Sequence, residues 1–188
     1  MNPMTTSSAF EQQAVIETER LVLRRLTPND AAFILELVND PDWLRYIGDK
    51  GVHNLDEARA YIQNGPMAMY ERVGFGLFLV ELKQGATPIG MCGLIKRETL
   101  EDVDLGFAYL PAHRANGYGR EAARATLDYG RNVAALRRIV AITSLDNEAS
   151  GRLLEAVGMR FERLFDISGE DRQVKLFSLA LDDVGREG

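Results

Sequence analysis

Along this chain the apolar positions switch between a period of two and a period of three to four, and each switch predicts an element. Arg20–Leu26 alternates, with Leu21, Leu23 and Leu26 inward, and reads as a strand. Thr27-Pro28-Asn29-Asp30 then opens a helix, with Thr27 as N-cap, Pro28 at the first position and Asp30 at the positive end. Phe33, Ile34, Leu37 and Val38 form its buried stripe, and Asn39-Asp40-Pro41 ends it because the residue before proline avoids the helical region. Asp42–Gly48 reads as a single irregular turn. Asn54 and Glu57 have the spacing of a capping box for a second helix to about Asn64; Gly65-Pro66 interrupts it, and Met67–Arg72 resumes one more turn. Phe75–Leu82 and Ile89–Lys96 are strands of one hairpin, and Val103–Leu110 is a third strand beyond a polar turn. A helix from about Tyr118 to Arg131 follows, then the short apolar strand Arg138–Thr143. A strand that returns after a helix belongs parallel to the strand before it. Asp146–Ser150 opens a last helix with Leu153, Leu154 and Val157 as its apolar side and Gly158 at its end. Phe161–Ile167 and Gln173–Leu181 close the chain as a hairpin.

This order predicts a mixed α/β (α+β) fold with one sheet and helices on both faces. At 188 residues, with no repeat and no long linker, the expectation is a flexible tail over 1–14 and a single domain over 15–183. A hydrophobic fraction of 46% and a charged fraction of 27% are ordinary for a globular chain, and the net charge of −6 excludes a general nucleic-acid binder. Cys92 is the only cysteine, so no internal disulfide can form; in its small apolar setting it reads as a core residue. His53 and His113 are far apart and no spacing suits a metal, so none is expected. No run approaches the ~20 apolar residues of a membrane span, and the first residues lack a signal-peptide layout. A cytoplasmic protein with no membrane partner, monomeric or homodimeric, is the expectation.

Chemistry concentrates between Val103 and Arg131. Pro111 stops the strand, a small polar loop over 112–119 carries Gly117 and Gly119, and a helix begins. The first turn of a helix has N–H groups without internal acceptors, and its dipole adds positive charge. Phosphate oxygens can take those bonds where glycine lets the backbone come close, and Arg114 and Arg120 flank the loop. The pattern is neither GxxxxGK[ST] nor GxGxxG, and a plain strand–helix turn with glycines for geometry is the alternative reading.

Four motifs in order give this pattern a family. Thr18-Glu19-Arg20-Leu21-Val22-Leu23-Arg24 with Asp30, the hairpin Ile89-Gly90-Met91-Cys92-Gly93-Leu94, the loop Arg114-Ala115-Asn116-Gly117-Tyr118-Gly119, and Asn147-Glu148-Ala149-Ser150 followed by Gly158-Met159-Arg160-Phe161 resemble the GNAT superfamily of acyl-CoA-dependent N-acetyltransferases. More narrowly they resemble its Rim-type branch, which contains the ribosomal-protein N-terminal acetyltransferases. The likeness covers about Glu17 to Leu181 and implies a mostly antiparallel, splayed sheet of about seven strands.

The resemblance also implies a site. The pantetheine arm of acetyl-CoA would pair with backbone at Phe107, Ala108, Tyr109 and Leu110. Its pyrophosphate would sit on N–H groups of Arg114, Ala115, Asn116, Gly117, Tyr118, Gly119 and Arg120, with His113 touching the coenzyme. Asn147 and Ser150 would face the thiol end. Many members carry a tyrosine in the last helix as general acid, but the matching place here is Leu154. Ser150 is then the candidate to protonate or hydrogen-bond the sulfur, unless it only bonds backbone at the helix start. Asp104 is favoured over Glu101 and Asp102 as general base, although a charge cluster is commonly a solvated face; His113 is a further option. The implied function is acetyl-CoA-dependent N-acetylation of a primary amine, on a small molecule or a protein N-terminus, by direct attack in a ternary complex. Transfer of a longer acyl group such as succinyl, or non-catalytic acyl-CoA sensing, are the alternatives. Glu98, Glu101, Asp102 and Asp104 would suit a cationic acceptor, and the aromatic and Met-rich region from Trp43 to Met69 an apolar one.

Overall fold

The computed structural model describes residues 14–167 and 169–181. Strand β1 (Ala14–Glu17) pairs antiparallel with β2 (Leu21–Arg24), which leads through a 3-10 turn over Pro28–Asp30 into α1 (Ala31–Val38). Thr27 and Asp30 form a complete capping box at that turn. Three helical pieces follow: α2 (Pro41–Tyr46), α3 (Leu55–Ile62) and α4 (Ala68–Val73). Strands β3 (Leu77–Leu82), β4 (Thr87–Ile95) and β5 (Val103–Tyr109) make the predicted antiparallel meander. Helix α5 (Tyr118–Asn132), β6 (Arg138–Ser144), α6 (Glu148–Ala156), β7 (Arg160–Asp166) and β8 (Gln173–Ala180) complete the order.

All eight strands lie in one sheet, in the order β1-β2-β3-β4-β5-β6-β8-β7. Among the described strands only β5 and β6 are parallel neighbours, as a crossover through α5 requires. Side chains alternate across the sheet and build two cores. Phe78 and Val80 of β3 face Ala122, Ala123 and Leu127 of α5, whereas Leu79 and Met91 face Ile34, Leu37, Ala58 and Ile62 of α1 and α3. Each of the Phe, Val, Leu, Ile and Met side chains among them contributes ~1.5–3 kcal/mol when taken fully from water, so both helical layers are fixed against the sheet that carries the site. Cys92 is buried, and burial pushes its thiol up to about 11, which leaves it a core side chain rather than a nucleophile.

Three expectations need correction. The chain pairs from Ala14 onward, which gives an eighth strand; four residues are too few to show a period. The supposed irregular turn is α2: Pro41, which ends α1, also starts the next helix at its first position, with the Asp40 carboxylate accepting from the Asp42 and Trp43 N–H groups. Gly65-Pro66 does not interrupt the second helix, because a widened π-helical turn over Gln63–Met67 absorbs the missing proline N–H and carries α3 into α4. The expected tail before Ala14 and the domain end at 183 lie outside the described residues.

Candidate active site

The sheet opens at its one parallel seam. β5 is paired along its β4 side from Asp104 to Tyr109, but on its β6 side only Val103 and Asp104 have partners, Ile139 and Val140. Beyond them the strands part around a cleft of ≈ 930 Å³, lined by Gly106, Phe107 and Ala108 on one wall and Ala141 to Ser144 on the other. Backbone N–H and C=O groups facing this gap have lost their ladder and are open to a ligand with amide groups of its own. Buried side-chain polar atoms without a hydrogen bond among the described residues are the Trp43 Nε1, Thr143 Oγ1 and Tyr109 hydroxyl, and all three residues line this cleft. The Tyr109 hydroxyl lies against the Cys92 thiol inside the core, which leaves the Trp43 N–H and the Thr143 hydroxyl as orphans at the cleft.

One end of the cleft is the start of α5. The chain turns over Pro111–His113, passes Ala115 at φ 62° and reaches the N-cap Gly117 at φ 79°. That left-handed backbone favours glycine, and no side chain caps the helix, so the N–H groups of Tyr118, Gly119 and Arg120 have no acceptor among the described residues. Gly119 lets α5 approach its neighbours closely: a Cβ there would stand 2.7 Å from a Leu153 methyl of α6 and 3.3 Å from the Tyr109 ring. The loop is anchored from β1–β2. Glu121 accepts from the Thr18 hydroxyl at 2.7 Å, the Arg20 N–H at 2.9 Å and Arg20 Nε at 2.7 Å, while Arg20 also bonds the Asn116 carbonyl and covers the Tyr118 ring. Arg114 is committed elsewhere, bonding the Tyr109 carbonyl and the carboxylates of Asp40 and Asp42. Arg120 is exposed at the cleft edge.

Asp104 sits at the crotch of the seam, 1% exposed, with Arg97 Nε 3.0 Å from its Oδ1. Burial raises its carboxyl to about 6, against the lowering by Arg97. Lys50, Tyr61, Arg97, Glu170 and Arg172 line the cleft at this second end, and burial pushes the Tyr61 hydroxyl up to about 12. At the β6 wall, Asn147 caps α6 by accepting from the Ser150 N–H at 3.2 Å, so capping belongs to Asn147, and the Ser150 hydroxyl makes no hydrogen bond among the described residues. Leu154 is fully buried and lines the cleft in the place considered for a tyrosine.

The predicted residues Asp104, Phe107, Ala108, Tyr109, His113, Arg114, Ala115, Gly117, Tyr118, Gly119, Arg120, Asn147 and Ser150 all line this one cleft. Leu110 and Asn116 do not: Leu110 packs toward the α1–α3 core, and Asn116 bonds the Arg114 carbonyl. Glu98, Glu101 and Asp102 also lie off the cleft, with Asp102 paired to Arg138, so the acidic surface expected to select a cation reduces to Asp104. Of the apolar region, Trp43, Tyr46 and Tyr61 are cleft walls, whereas Met67 packs between the cores and Met69 offers its sulfur to Lys96. Sequence reasoning missed Lys50, Arg97 and Arg172, which stand in loops without a period; Thr18 and Arg20 stood in a quoted motif whose task only the tertiary contact reveals. Among the described residues no group of three or more His, Cys, Asp or Glu could hold a metal ion, and no helix is long and apolar enough to cross a membrane.

A sheet parted at its parallel seam, with an uncapped helix start at the mouth, is the arrangement that the resemblance to acyl-CoA-dependent transferases implies. The family model described as acetyltransferase (GNAT) domain matches residues 20–160, and the chain belongs to that family. It is similar to the uncharacterised N-acetyltransferase YoaA of Bacillus subtilis (strain 168), with 30% identity over 150 residues, 79% of this chain and 84% of that protein. An acetyltransferase of the GNAT family from Bacillus anthracis superposes with a TM-score of 0.74 at 26% identity, covering 88% of this chain and 98% of that one. The RimL ribosomal L7/L12 α-N-protein acetyltransferase in complex with coenzyme A shares the fold, with a TM-score of 0.74 at 17% identity over 89% of this chain and 98% of that one.

Proposed function

We propose that this acetyltransferase uses acetyl-CoA to acetylate a primary amine by direct attack in a ternary complex, as a Rim-type enzyme. The observation that carries the reading is the β5–β6 register, which stops at Asp104 and leaves an unpaired strand edge running to the start of α5. An arm with two amide groups fits that edge, a pyrophosphate fits the free N–H groups of Tyr118, Gly119 and Arg120, and the orphan Thr143 hydroxyl offers a further contact. The Rim-type placement rests on the opening and hairpin motifs, and is in keeping with the fold shared with the L7/L12 enzyme.

The coenzyme brings an activated acetyl group; the rest falls to the chain. Close placement of the two reactants supplies much of the rate. An α-amine with a pKa near ~8 arrives mostly protonated, and Asp104, held near 6, accepts the proton that leaves its nitrogen. A free N–H of the β5 edge donates to the oxygen that gains charge as the new C–N bond forms. The Ser150 hydroxyl donates to the sulfur as the C–S bond breaks and the thiolate departs. Steady-state rates with acetyl-CoA and an amine panel, read as thiol release, test this. Intersecting initial-velocity lines, with kcat unchanged in Cys92→Ala, are expected; parallel lines would require an acyl-enzyme and overturn direct attack. Tight coenzyme binding without turnover of any amine would favour a sensor.

A further inference from the structure

The acceptor end of the cleft holds two cations, Lys50 and Arg172, that make no ion pair among the described residues, although the charges of Asp146 and Glu170 reach them. Most other guanidinium groups of the lining stand on acids, Arg114 on Asp40 and Asp42, Arg152 on Glu148 and Arg97 on Asp104, the exception being Arg120 at the start of α5. Arg172 is held differently. Its guanidinium donates to the backbone carbonyls of Tyr46 and Ile47 and, at 2.6 Å, to the Ser144 hydroxyl. Three neutral oxygens fix the direction of the fork and leave its charge in place. Lys50 lines the same end without an ion-pair partner among the described residues, under the charges of Arg97 and Arg172 and with Glu170 in range. Partial desolvation and the Arg97 charge lower its pKa against the opposing charge of Glu170, while the residue as a whole stays exposed at the cleft. The buried Trp43 Nε1–H, which also lacks an acceptor, belongs to the same lining.

On the acetyl-transfer reading above, we propose that Lys50, Arg172 and the Trp43 N–H form a carboxylate-binding subsite beside Asp104, so that the acceptor is an amine that also carries a carboxylate. A fixed guanidinium and an ammonium supply positive charge for one anionic group, and the buried indole N–H, costly to leave without an acceptor, supplies a further donor. A monoanion suits the place better than a phosphate dianion, because Asp104 and Glu170 line the same end and repel excess negative charge. Tyr46 and Tyr61 provide apolar wall for the remainder of such a molecule. The carboxylate belongs either to a free α-amino acid or to an acidic residue at the start of a peptide, and this reverses the cation preference that Glu98, Glu101 and Asp102 suggested.

The test compares phenylalanine, phenylalanine amide and phenethylamine as acceptors, beside two C-terminally amidated peptides that begin with Glu or with Gln. The acid form should exceed its uncharged partner by about tenfold or more in kcat/KM, because a site built for an anion rejects analogues lacking it. Preference for free phenylalanine assigns the amino acid, and preference for the Glu peptide assigns the peptide. Lys50→Met should erase the preference by raising the acceptor KM while the acetyl-CoA KM stays constant. Arg172→Gln should do the same, with Lys50→Met as the safer variant because Arg172 also joins α2 to β6. Calorimetry with N-acetylphenylalanine and coenzyme A reads the subsite without turnover, and weaker binding by about tenfold in Lys50→Met is expected. Should no amine be acetylated, the activity reading fails while calorimetry still decides the subsite. Equal use of acid and uncharged forms, a rise in the acetyl-CoA KM in place of the acceptor KM, or no carboxylate binding to the wild type would each overturn the proposal.

Discussion

Asp104 carries opposed demands in one side chain. Its carboxyl, raised to about 6 by burial, holds a proton in the folded state at pH values where the unfolded chain has released it. The folded form therefore binds more protons between the ordinary value of 3.8 and about 6, and stability falls as pH rises through that window. The loss is on the order of 3 kcal/mol at most, from 1.36 kcal/mol per unit of pKa. Asp104→Asn keeps the hydrogen-bonding shape toward Arg97 and removes the titration. Melting curves from pH 4 to 8 should show the variant gaining on the wild type as pH rises; a wild type that stays the more stable at pH 7 would mean that the Arg97 ion pair outweighs burial. The same substitution should lower kcat by roughly 10²–10⁴ and abolish the rising limb near pH 6 in the rate profile. Alternation placed Asp104 opposite the Leu105 face, yet its burial was not legible, because it depends on where β6 leaves the seam.

At the scale of elements, contacts far apart in sequence decide how firmly the start of α5 is held. Glu121 joins the helix to β1–β2 through Thr18 and Arg20, and Arg20 continues to the Asn116 carbonyl and the Tyr118 ring. These partners place the free N–H groups without using them. Glu121→Gln weakens the charged bonds at nearly constant size, and should raise the acetyl-CoA KM about three- to tenfold with kcat little changed, at a stability cost of ~1 kcal/mol. An unchanged KM would show that Gly117 geometry alone sets the loop. The strands and α5 were legible because their patterns repeat within a few residues. The role of Thr18-Glu19-Arg20 was not, since its partner stands about a hundred residues away. Asp40-Pro41 shows a local rule with two outcomes: proline ended α1 as read, and its fixed φ then opened α2. At Gly65-Pro66 the breaker rule failed because a wider turn supplied an alternative.

For the molecule as a whole, the parallel seam is the one place where the sheet lacks continuity, and a ligand that completes it should stabilise everything the sheet holds together. β5 is bound to β4 along its length but to β6 through two residues, so β6, β8 and β7 hang from the rest largely by that short pairing and by the helices. Acetyl-CoA at about 100 times its Kd should add ~2.7 kcal/mol, a rise in Tm of roughly 5–11 °C for a chain of this size. The location of the effect distinguishes seam filling from general surface binding. Amides of residues 105–109 and 141–144 should exchange several-fold more slowly with the coenzyme present, as should those of Tyr118, Gly119 and Arg120, while β1 and β2 at the far edge keep their rates. Glu121→Gln should diminish the protection at α5 before that at β5, because it loosens the pyrophosphate end and leaves the strand edge intact. Protection spread evenly over the sheet, or absent from 105–109, would show that the coenzyme does not enter the seam, and the assignment of donor and acceptor ends would have to be abandoned with it.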